Sequence, residues 1–402
     1  MKKVLALILS LVMVFSLAGC GGSGTPSSPT PPSNSGSETG GPSGDPIKIG
    51  LATVLTGERA MEGEYASNAA AIITQEINDA GGVLGRPIQI VIEDGLGTDV
   101  GAVNAYRKLA DDPEIVAIIG SDNSNDNIAI SGEALQAKIL STAQGSSPTL
   151  RDICNNDNPW LFQLRACEET MIDALVGFAV EEKGYKKFAI IHDTETNSTD
   201  QTRLFTQALQ KRGIEPLTTV SFTTGTKDFT SHITKIQQAQ PEAIIGACLF
   251  NEAAIIAEQI RAFGMVDMPI FGSNAWADPV TIQLGGDALN GVYSAAAWVP
   301  NTTNPIGAAF SKKYQETYGQ ECAKAAAQIY DHVSVICEAI RVAGSTDRTA
   351  VRDAMHTIGD FSGAITTYDC RTNGDCGRGG LVVEIVDQVP TVLQEIYSEK
   401  KI

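Results

Sequence analysis

The sequence has few of the residues that most often mark catalytic or nucleic-acid-binding proteins. It contains 4 histidines, 6% aromatic residues, and 29 Lys and Arg against 47 Asp and Glu, for a formal net charge of −18 over 402 residues. Because such a surface repels phosphate backbones, nucleic acid is excluded as a partner. The histidines are scattered and no CxxC pair occurs, so we expect no zinc site.

Motifs of nucleophilic, zinc-dependent and phosphate-binding catalysis are also missing, since GxSxG, HExxH and GxxxxGKS/T do not occur. Asp122, Ser124, Asp126 and Glu133 have the spacing of a calcium-binding hand, but Asn127 replaces the turn glycine of that loop. We therefore predict that the protein is not an enzyme and requires neither a metal nor a cofactor.

Long apolar runs are absent apart from one at the N-terminus. Two lysines precede residues 4–19, a run that is shorter than the ~20 residues of a membrane span but suits the core of an export signal. The ending LAGC (17–20) resembles the lipobox of bacterial lipoproteins. This resemblance implies a lipoprotein signal peptide at 1–19 and a lipidated Cys20 that anchors the protein to the outer face of the cell membrane. An ordinary secreted protein is the alternative interpretation.

Residues 20–46 are predicted to form the lipidated cysteine and a flexible linker. Residues 21–46 hold seven Gly, seven Ser, six Pro and three Thr, which leaves almost no side chain that could build a core. A coil of this length spans roughly 28 Å, enough to hold a domain clear of lipid headgroups.

Seven cysteines follow Cys20, and this odd number excludes a complete disulfide framework. Cys370 and Cys376 bracket the turn-forming string RTNGD, so they are predicted as a possible disulfide worth roughly 2 kcal/mol. A pairing of Cys154 with Cys167 is a weaker alternative.

From residue 47 onward, short β-branched runs alternate with stretches of helical period, which is typical of βαβ units. The pattern occurs twice, which predicts an α/β protein with two doubly wound parallel-sheet lobes. Predicted strands lie at 47–53, 87–94, 114–121, 138–143, 186–193, 216–222, 242–249 and 269–274. Predicted helices lie at 64–80, 99–111, 126–137, 170–183, 199–212, 228–239, 251–263, 305–319 and 322–343.

In open parallel sheets the ligand crevice lies beyond the carboxyl ends of the strands. The segments that follow the predicted strands are mostly small and polar, and their hydroxyls and helix-start N–H groups suit a carboxylate. Each such Ser or Asn taken alone is better explained as a helix cap, and only the convergence of several such loops favours a binding role.

Several strings resemble the leucine/isoleucine/valine-binding protein family, the solute receptors of branched-chain amino-acid ABC transporters. They include IKIGLATVLTG (47–57), INDAGGVLGRPIQIVIED (77–94), FAIIHD (188–193), NEAAIIAEQIRAFG (251–264) and IYDHV (329–333). The resemblance implies a type I periplasmic-binding-protein fold, in which a three-crossover hinge joins the two lobes. The expected boundaries are 47–165 plus 297–356 for lobe one and 166–296 plus 357–402 for lobe two.

The resemblance also implies a set of ligand-binding positions. Groups after the third and fourth strands hold the ligand carboxylate in that family, and they correspond to Ser124, Gly145 and Ser146. An acidic residue early in lobe two holds the ammonium, and either Glu168 or Glu169 fits this position. The other positions expected to line the cleft are Glu62, Asn197, Phe250, Asn274 and Trp276, with Asn274 in place of a second acid.

We therefore expect a monomeric extracytoplasmic lipoprotein that captures a small carboxylate-bearing solute, an amino acid of branched-chain type, by lobe closure. Its partners would be the permease subunits of an ABC importer in the membrane. A sensor lipoprotein of the same fold, or a receptor for amides, urea or short organic acids, is the alternative.

Overall fold

The computed structural model describes residues 41–57, 59–371 and 373–397 of the chain. The predicted signal peptide, Cys20 and the linker up to residue 40 lie outside these residues. None of the helices in the described ranges combines the length and the apolar character needed to cross a membrane.

Strands and helices alternate as far as residue 296, as the hydrophobic pattern predicts, and the rest of the described chain forms a block of helices followed by a block of strands. The strands are β1 (Ile47–Thr53), β2 (Ile88–Asp94), β3 (Ile115–Ile119), β4 (Leu140–Ala143), β5 (Leu161–Ala166), β6 (Phe188–Asp193), β7 (Thr218–Phe222), β8 (Ala243–Ala247), β9 (Ile270–Gly272), β10 (Val292–Ala296), β11 (Phe361–Ser362), β12 (Thr367–Tyr368), β13 (Asp375–Gly377), β14 (Gly379–Val386) and β15 (Val389–Tyr397).

The α-helices follow the same order. They are α1 (Ala60–Asp79), α2 (Asp99–Ala110), α3 (Ser124–Ala137), α4 (Pro148–Asp152), α5 (Glu168–Gly177), α6 (Thr196–Gln210), α7 (Thr230–Ala239), α8 (Phe250–Ala262), α9 (Pro279–Gly285), α10 (Pro305–Tyr318), α11 (Lys324–Ala343) and α12 (Arg348–Met355). A 3₁₀ turn at Asn274–Ala277 follows β9.

The sequence pattern did not predict β5 and β10. Gln163 and Arg165 interrupt the apolar run of β5, and β10 is built largely from small residues with a buried Ser294. Both strands are buried. Gln163 and Ser294 are tolerated there because Gly145 O accepts from Gln163 Nε2 at 2.8 Å and Ser273 O accepts from Ser294 Oγ at 2.8 Å.

The first sheet has the strand order β11-β12-β13-β5-β4-β3-β1-β2. Strands β1 to β5 and β13 run parallel, whereas β11 and β12 form an antiparallel edge. The parallel strands β1, β3, β4 and β5 all end at one side of the sheet, so the loops that follow them lie together.

The second sheet has the order β15-β14-β10-β9-β8-β6-β7. Strands β6 to β10 are parallel, and the hairpin of β14 and β15 adds an antiparallel edge. The hairpin turns through Asp387 and Gln388, both with positive φ, as a two-residue turn requires. The predicted parallel lobes are thus mixed at one edge, because the final segment returns by tight turns instead of helical crossovers.

Apolar layers cover both faces of each sheet, which explains why the inner strands are rich in Ile, Val and Ala. Helices α1, α10, α11 and α12 pack on one face of the first sheet, and α2 and α3 pack on the other. Helices α5 and α6 cover one face of the second sheet, and α7 and α8 cover the other.

The chain passes between the two sheets after β5, after β10 and after β13. The predicted boundary at residue 357 needs correction, because β11, β12 and β13 (361–377) join the first sheet. Gln163 N in β5 donates to Gly374 O at 2.6 Å, and Tyr368 and Cys376 are buried in the core of this lobe. The last passage therefore lies between residues 377 and 379.

Cys370 and Cys376 are joined by a disulfide, with 4.6 Å between their Cα atoms. The other described cysteines are buried and free, so the alternative pairing of Cys154 with Cys167 is wrong. The disulfide fixes the short loop that carries β13 onto the first sheet.

Candidate functional site

The loops that follow the parallel strands of both sheets border one cleft with two adjoining cavities. The polar cavity, of about 40 Å³, is lined by Arg59, Glu62, Asp122, Asn123, Ser124, Ser146, Arg165, Asn197, Leu249, Phe250, Asn274, Ala275 and Lys324. The distal cavity, of about 160 Å³, is lined by Arg59, Met61, Glu62, Tyr65, Asp122, Thr224, Leu249, Phe250, Asn251, Glu252, Asp278, Val280, Ala323 and Ala325. Shared lining residues connect the two cavities into one site.

One ion-pair cluster joins the loop after β1 to the start of α3. Arg59 Nη2 donates to Asp126 Oδ2 at 2.8 Å, and Ser121 Oγ donates to the same oxygen at 2.6 Å. Arg59 Nη1 lies 3.8 Å from Glu62 Oε2. Burial raises the pKa of Glu62 to about 8, an effect that Arg59 partly offsets. The cluster holds two strand-end loops of the first lobe in a fixed arrangement.

A second cluster surrounds Asp122 at the base of the polar cavity. Lys324 Nζ lies 2.8 Å from Asp122 Oδ2, and Arg165 Nη1 lies 3.8 Å from Asp122 Oδ1. Arg165 is only 4% exposed, and its Nε and Nη2 have no hydrogen-bond partner among the described residues. A buried guanidinium with unused donors is costly, so this position is suited to a ligand carboxylate.

The predicted carboxylate-binding serines both line the polar cavity. Ser124 begins α3 and its Oγ accepts from Ser147 N at 3.3 Å, while Ser146 follows β4 and is buried. Gly145 lies behind them and is not a lining residue. A Cβ at Gly145 would lie 2.5 Å from Ser124 Oγ, so glycine allows the two loops to approach each other.

The two candidate acids for the ammonium have different surroundings. Glu168 is 1% exposed and lines neither cavity, and its Oε1 accepts from Gln201 Nε2 at 2.7 Å and from the cavity residue Asn274 through Nδ2 at 3.3 Å. Burial raises the pKa of Glu168 to about 7, against the opposing charge of Arg165. Glu169 points away because successive helical residues are about 100° apart, and it pairs with Arg151 at 2.8 Å outside both cavities.

The second lobe contributes mostly neutral groups to the polar cavity. Asn197 lies in the first turn of α6, Phe250 begins α8, and Asn274 lies in the 3₁₀ turn after β9. All three line the cavity as the family positions predict.

Trp276 does not line the cleft, and its predicted place there needs correction. The side chain is fully buried in the core of the second lobe, packed against the backbones of Gly246 and Gly272. Gly246 and Gly272 have no side chains and so leave the space that the indole ring fills. Burying the large apolar surface of the ring in this core is more favourable than exposing it in the cleft.

The lobes contact each other directly beside the cleft. Thr149 Oγ1 in α4 donates to Asp200 Oδ2 in α6 at 2.8 Å. Lys324 Nζ donates to Asn274 Oδ1 at 3.5 Å, and Val280 of α9 packs against the apolar core of the first lobe. The structure is therefore that of a closed cleft.

The acids with calcium-hand spacing do not converge on one point. Each pairs with a different cation: Asp122 with Lys324, Asp126 with Arg59, and Glu133 with Arg107 at 2.7 Å. In the part of the chain that the structure describes, no cluster of three or more metal-ligating side chains occurs.

Sequence reasoning missed the cations of the site, Arg59, Arg165 and Lys324. Arg165 is the penultimate residue of β5, so recognising that strand would have placed it at the sheet edge. Lys324 begins α11, far along the chain from any strand end of the first sheet, and no local pattern marks it.

A family model described as periplasmic binding protein matches residues 46–388. The chain therefore belongs to the periplasmic binding protein family. This membership confirms the predicted family and type I periplasmic-binding fold, and it identifies an extracytoplasmic solute-binding protein rather than an enzyme.

Among curated relatives, Leu/Ile/Val-binding protein homolog 3 of Brucella melitensis is 26% identical over 348 residues, covering 82% of this chain and 88% of that protein. The leucine binding protein LivK of Thermotoga maritima superposes with a TM-score of 0.79 at 24% identity, covering 87% and 99% of the two chains. The branched-chain amino acid transporter substrate binding protein LivJ of Streptococcus pneumoniae, solved with isoleucine, gives 0.78 at 21% identity, covering 89% and 100%.

Proposed function

We propose that this protein is the solute-binding lipoprotein of an ABC importer and that it captures an amino acid in the cleft. The observation that carries the proposal is Arg165, a buried cation with unused donors beside the hydroxyls of Ser124 and Ser146. Charge-assisted and hydroxyl hydrogen bonds of this kind are suited to a carboxylate, and the N-terminus of α3 adds a favourable dipole.

The remaining groups of an amino acid fit the same cleft. Asn274 offers its amide to the ammonium from the wall of the polar cavity. Glu168 lies behind Asn274, accepts from its Nδ2 and adds a negative charge close to the cavity without lining it. Met61, Tyr65, Val280 and Ala325 offer apolar surface to an aliphatic side chain in the distal cavity. The isoleucine bound to the similar Streptococcus pneumoniae protein supports an amino acid as the class of solute.

The proposed mechanism is capture by closure. The first lobe supplies the carboxylate-binding groups, and the second lobe completes the contacts only when the cleft closes, so the solute shifts the population toward the closed form. A permease would recognise that form. The proposed lipid on Cys20 would keep the protein at the membrane surface where the permease lies.

Isothermal titration calorimetry of the purified protein with amino acids, simple amides, urea and short organic acids tests the proposal. We expect at least one α-amino acid to bind with a Kd between micromolar and nanomolar, unchanged after release. Binding of amides or organic acids alone, or chemical turnover of the solute, would contradict it. Cys20→Ala should move the protein from the membrane fraction to the soluble fraction, whereas an unchanged distribution would count against the anchor.

A further inference from the structure

The charges of the two cavities are unequal. The polar cavity is lined by three cations (Arg59, Arg165, Lys324) and two acids (Glu62, Asp122). The distal cavity is lined by one cation (Arg59) and four acids (Glu62, Asp122, Glu252, Asp278). Arg59, Glu62 and Asp122 line both cavities, so the cavities differ by two cations on the polar side and two acids on the distal side. The cleft is therefore more positive where the carboxylate is proposed to bind and more negative in the distal cavity.

Other protein groups satisfy only some of the distal acids. Asp122 pairs with Lys324, and Glu252 Oε1 accepts from Gly225 N at 2.8 Å. Arg59, the single distal cation, donates its short hydrogen bond to Asp126 and lies 3.8 Å from Glu62. These contacts leave Glu62 without a direct hydrogen bond from a cation in the described chain.

Asp278 faces the same cavity from the second lobe. Its Oδ1 caps α9 by accepting from Val280 N at 3.0 Å, and no Lys or Arg of the described residues forms an ion pair with it. Burial raises the pKa of both Glu62 and Asp278, as expected for acids whose charge is poorly compensated. Acids from opposite lobes thus line the same distal cavity, with Glu62 also facing the polar one.

Apolar side chains share the distal cavity with the acids. Met61, Tyr65, Val280, Ala323 and Ala325 line the distal cavity together with the acids. An aliphatic chain would contact them without leaving a buried polar group unpaired, while a group at its end would reach the acids.

We propose that the solute carries a second cationic group, an amine or guanidinium, at the end of an aliphatic side chain, which Glu62 and Asp278 bind together. The site would then select basic amino acids over branched-chain ones. This inference rests on the proposed amino-acid function, because the polar cavity must hold the carboxylate at the other end.

Calorimetric comparison of lysine with norleucine, which has a straight side chain but no terminal amine, tests the inference. Lysine should bind at least thirtyfold more tightly. Glu62→Gln and Asp278→Asn should each lower the lysine-to-norleucine affinity ratio at least fivefold, and asparagine still caps α9 so that folding is preserved. The matched control Glu169→Gln alters an exposed acid outside the cleft and should leave the ratio unchanged.

The possible results separate the two proposals. If norleucine or leucine binds as tightly as lysine and Glu62→Gln has no effect, the inference is overturned and the amino-acid function stands. If arginine or ornithine replaces lysine as the tightest ligand with the same response to the variants, the inference is supported. If no amino acid binds, both proposals are overturned.

Discussion

The two faces of the cleft are built differently. The first lobe contributes charges of both signs that are locked in pairs, such as Arg59 with Asp126 and Lys324 with Asp122. The second lobe contributes amides and an aromatic ring, and the charged residues that it adds to the cavities are acids. The anionic end of a solute therefore has cationic partners on the first lobe alone, whereas the second lobe completes the enclosure.

The largest effect is expected from Trp276, whose side chain lies in the core of the second lobe. Trp276→Ala should lower the free energy of unfolding by about 3–5 kcal/mol, because it empties a fully buried site. Urea unfolding measures this loss. Val266→Ala is the control, since Val266 is 63% exposed and should change stability by less than about 0.5 kcal/mol. A weakened solute affinity with unchanged stability would instead place Trp276 in the cleft.

The second-largest effect is expected from Arg165, one of the cations that the first lobe contributes to the polar cavity. Arg165→Met should lower solute affinity about a hundredfold, because it removes charge-assisted hydrogen bonds in a buried cavity. Calorimetry measures the affinity and thermal unfolding checks the fold. Arg203→Met changes an exposed arginine whose side chain contacts Asp200 and Gln207, and this variant should bind normally. Normal binding by Arg165→Met would contradict the claim that a cation of the first lobe binds the anionic end of the solute.

The hydroxyls of the first lobe should have a smaller effect. Ser124→Ala or Ser146→Ala is expected to weaken solute binding by more than tenfold without unfolding the protein, because each removes one hydrogen-bonding group from the polar cavity. Ser131→Ala is the matched control on α3, since its hydroxyl donates to Ile128 O within the helix. Unchanged titrations for both cavity serines would contradict the assigned site.

The acid at the start of the second lobe should make stability depend on pH. The pKa of Glu168 in the folded protein, about 7, lies above its ordinary 4.5, so the folded chain retains this proton where the unfolded chain has lost it. The stabilisation is present below about pH 4.5 and is lost as pH rises through 7. In solute-free protein, Glu168→Gln should reduce the loss of unfolding free energy between pH 4.5 and 7 by on the order of 1 kcal/mol, as measured by urea unfolding at several pH values. Glu169→Gln, at an exposed acid, is the control. If Glu168→Gln leaves the slope of unfolding free energy against pH unchanged, Glu168 is ionised over this whole pH range.

The smallest effect concerns the contact between the lobes. Thr149→Val removes the hydrogen bond to Asp200 and should weaken solute binding about two- to fivefold, because only the closed form contains it. Stability of the separate lobes should not change. A Kd identical to that of the unaltered protein would show that this contact does not stabilise closure.

The sequence was sufficient for most of the secondary structure. The predicted strands at 47–53 and 186–193 correspond to β1 and β6, and the helices at 99–111 and 305–319 correspond to α2 and α10 within a residue or two. Periodicity predicts these elements because a strand covered on both faces needs a continuous apolar run. A helix with one buried side needs apolar residues at helical spacing. It failed at β5, where two polar residues interrupt the apolar run: Gln163 donates to Gly145 O inside the fold, and Arg165 keeps unused donors beside the polar cavity.

The candidate site was only partly predictable. Ser124, Ser146, Asn197, Phe250 and Asn274 follow strand ends, and local pattern together with family resemblance found them. The difference between Glu168 and Glu169 could not be predicted, because both occupy the first turn of α5 and only the packing of that helix buries one of them.

By itself, the sequence determined a repeated α/β pattern, a polar set of strand-end loops and an acidic surface, all of which follow from local periodicity and composition. The tertiary structure decided which sheet receives residues 361–377, that Trp276 lies in a core, and that Lys324 reaches Asp122 across some 200 residues of chain. The physical reason is that these outcomes depend on which distant side chains compete for the same buried space, and no local pattern records that competition.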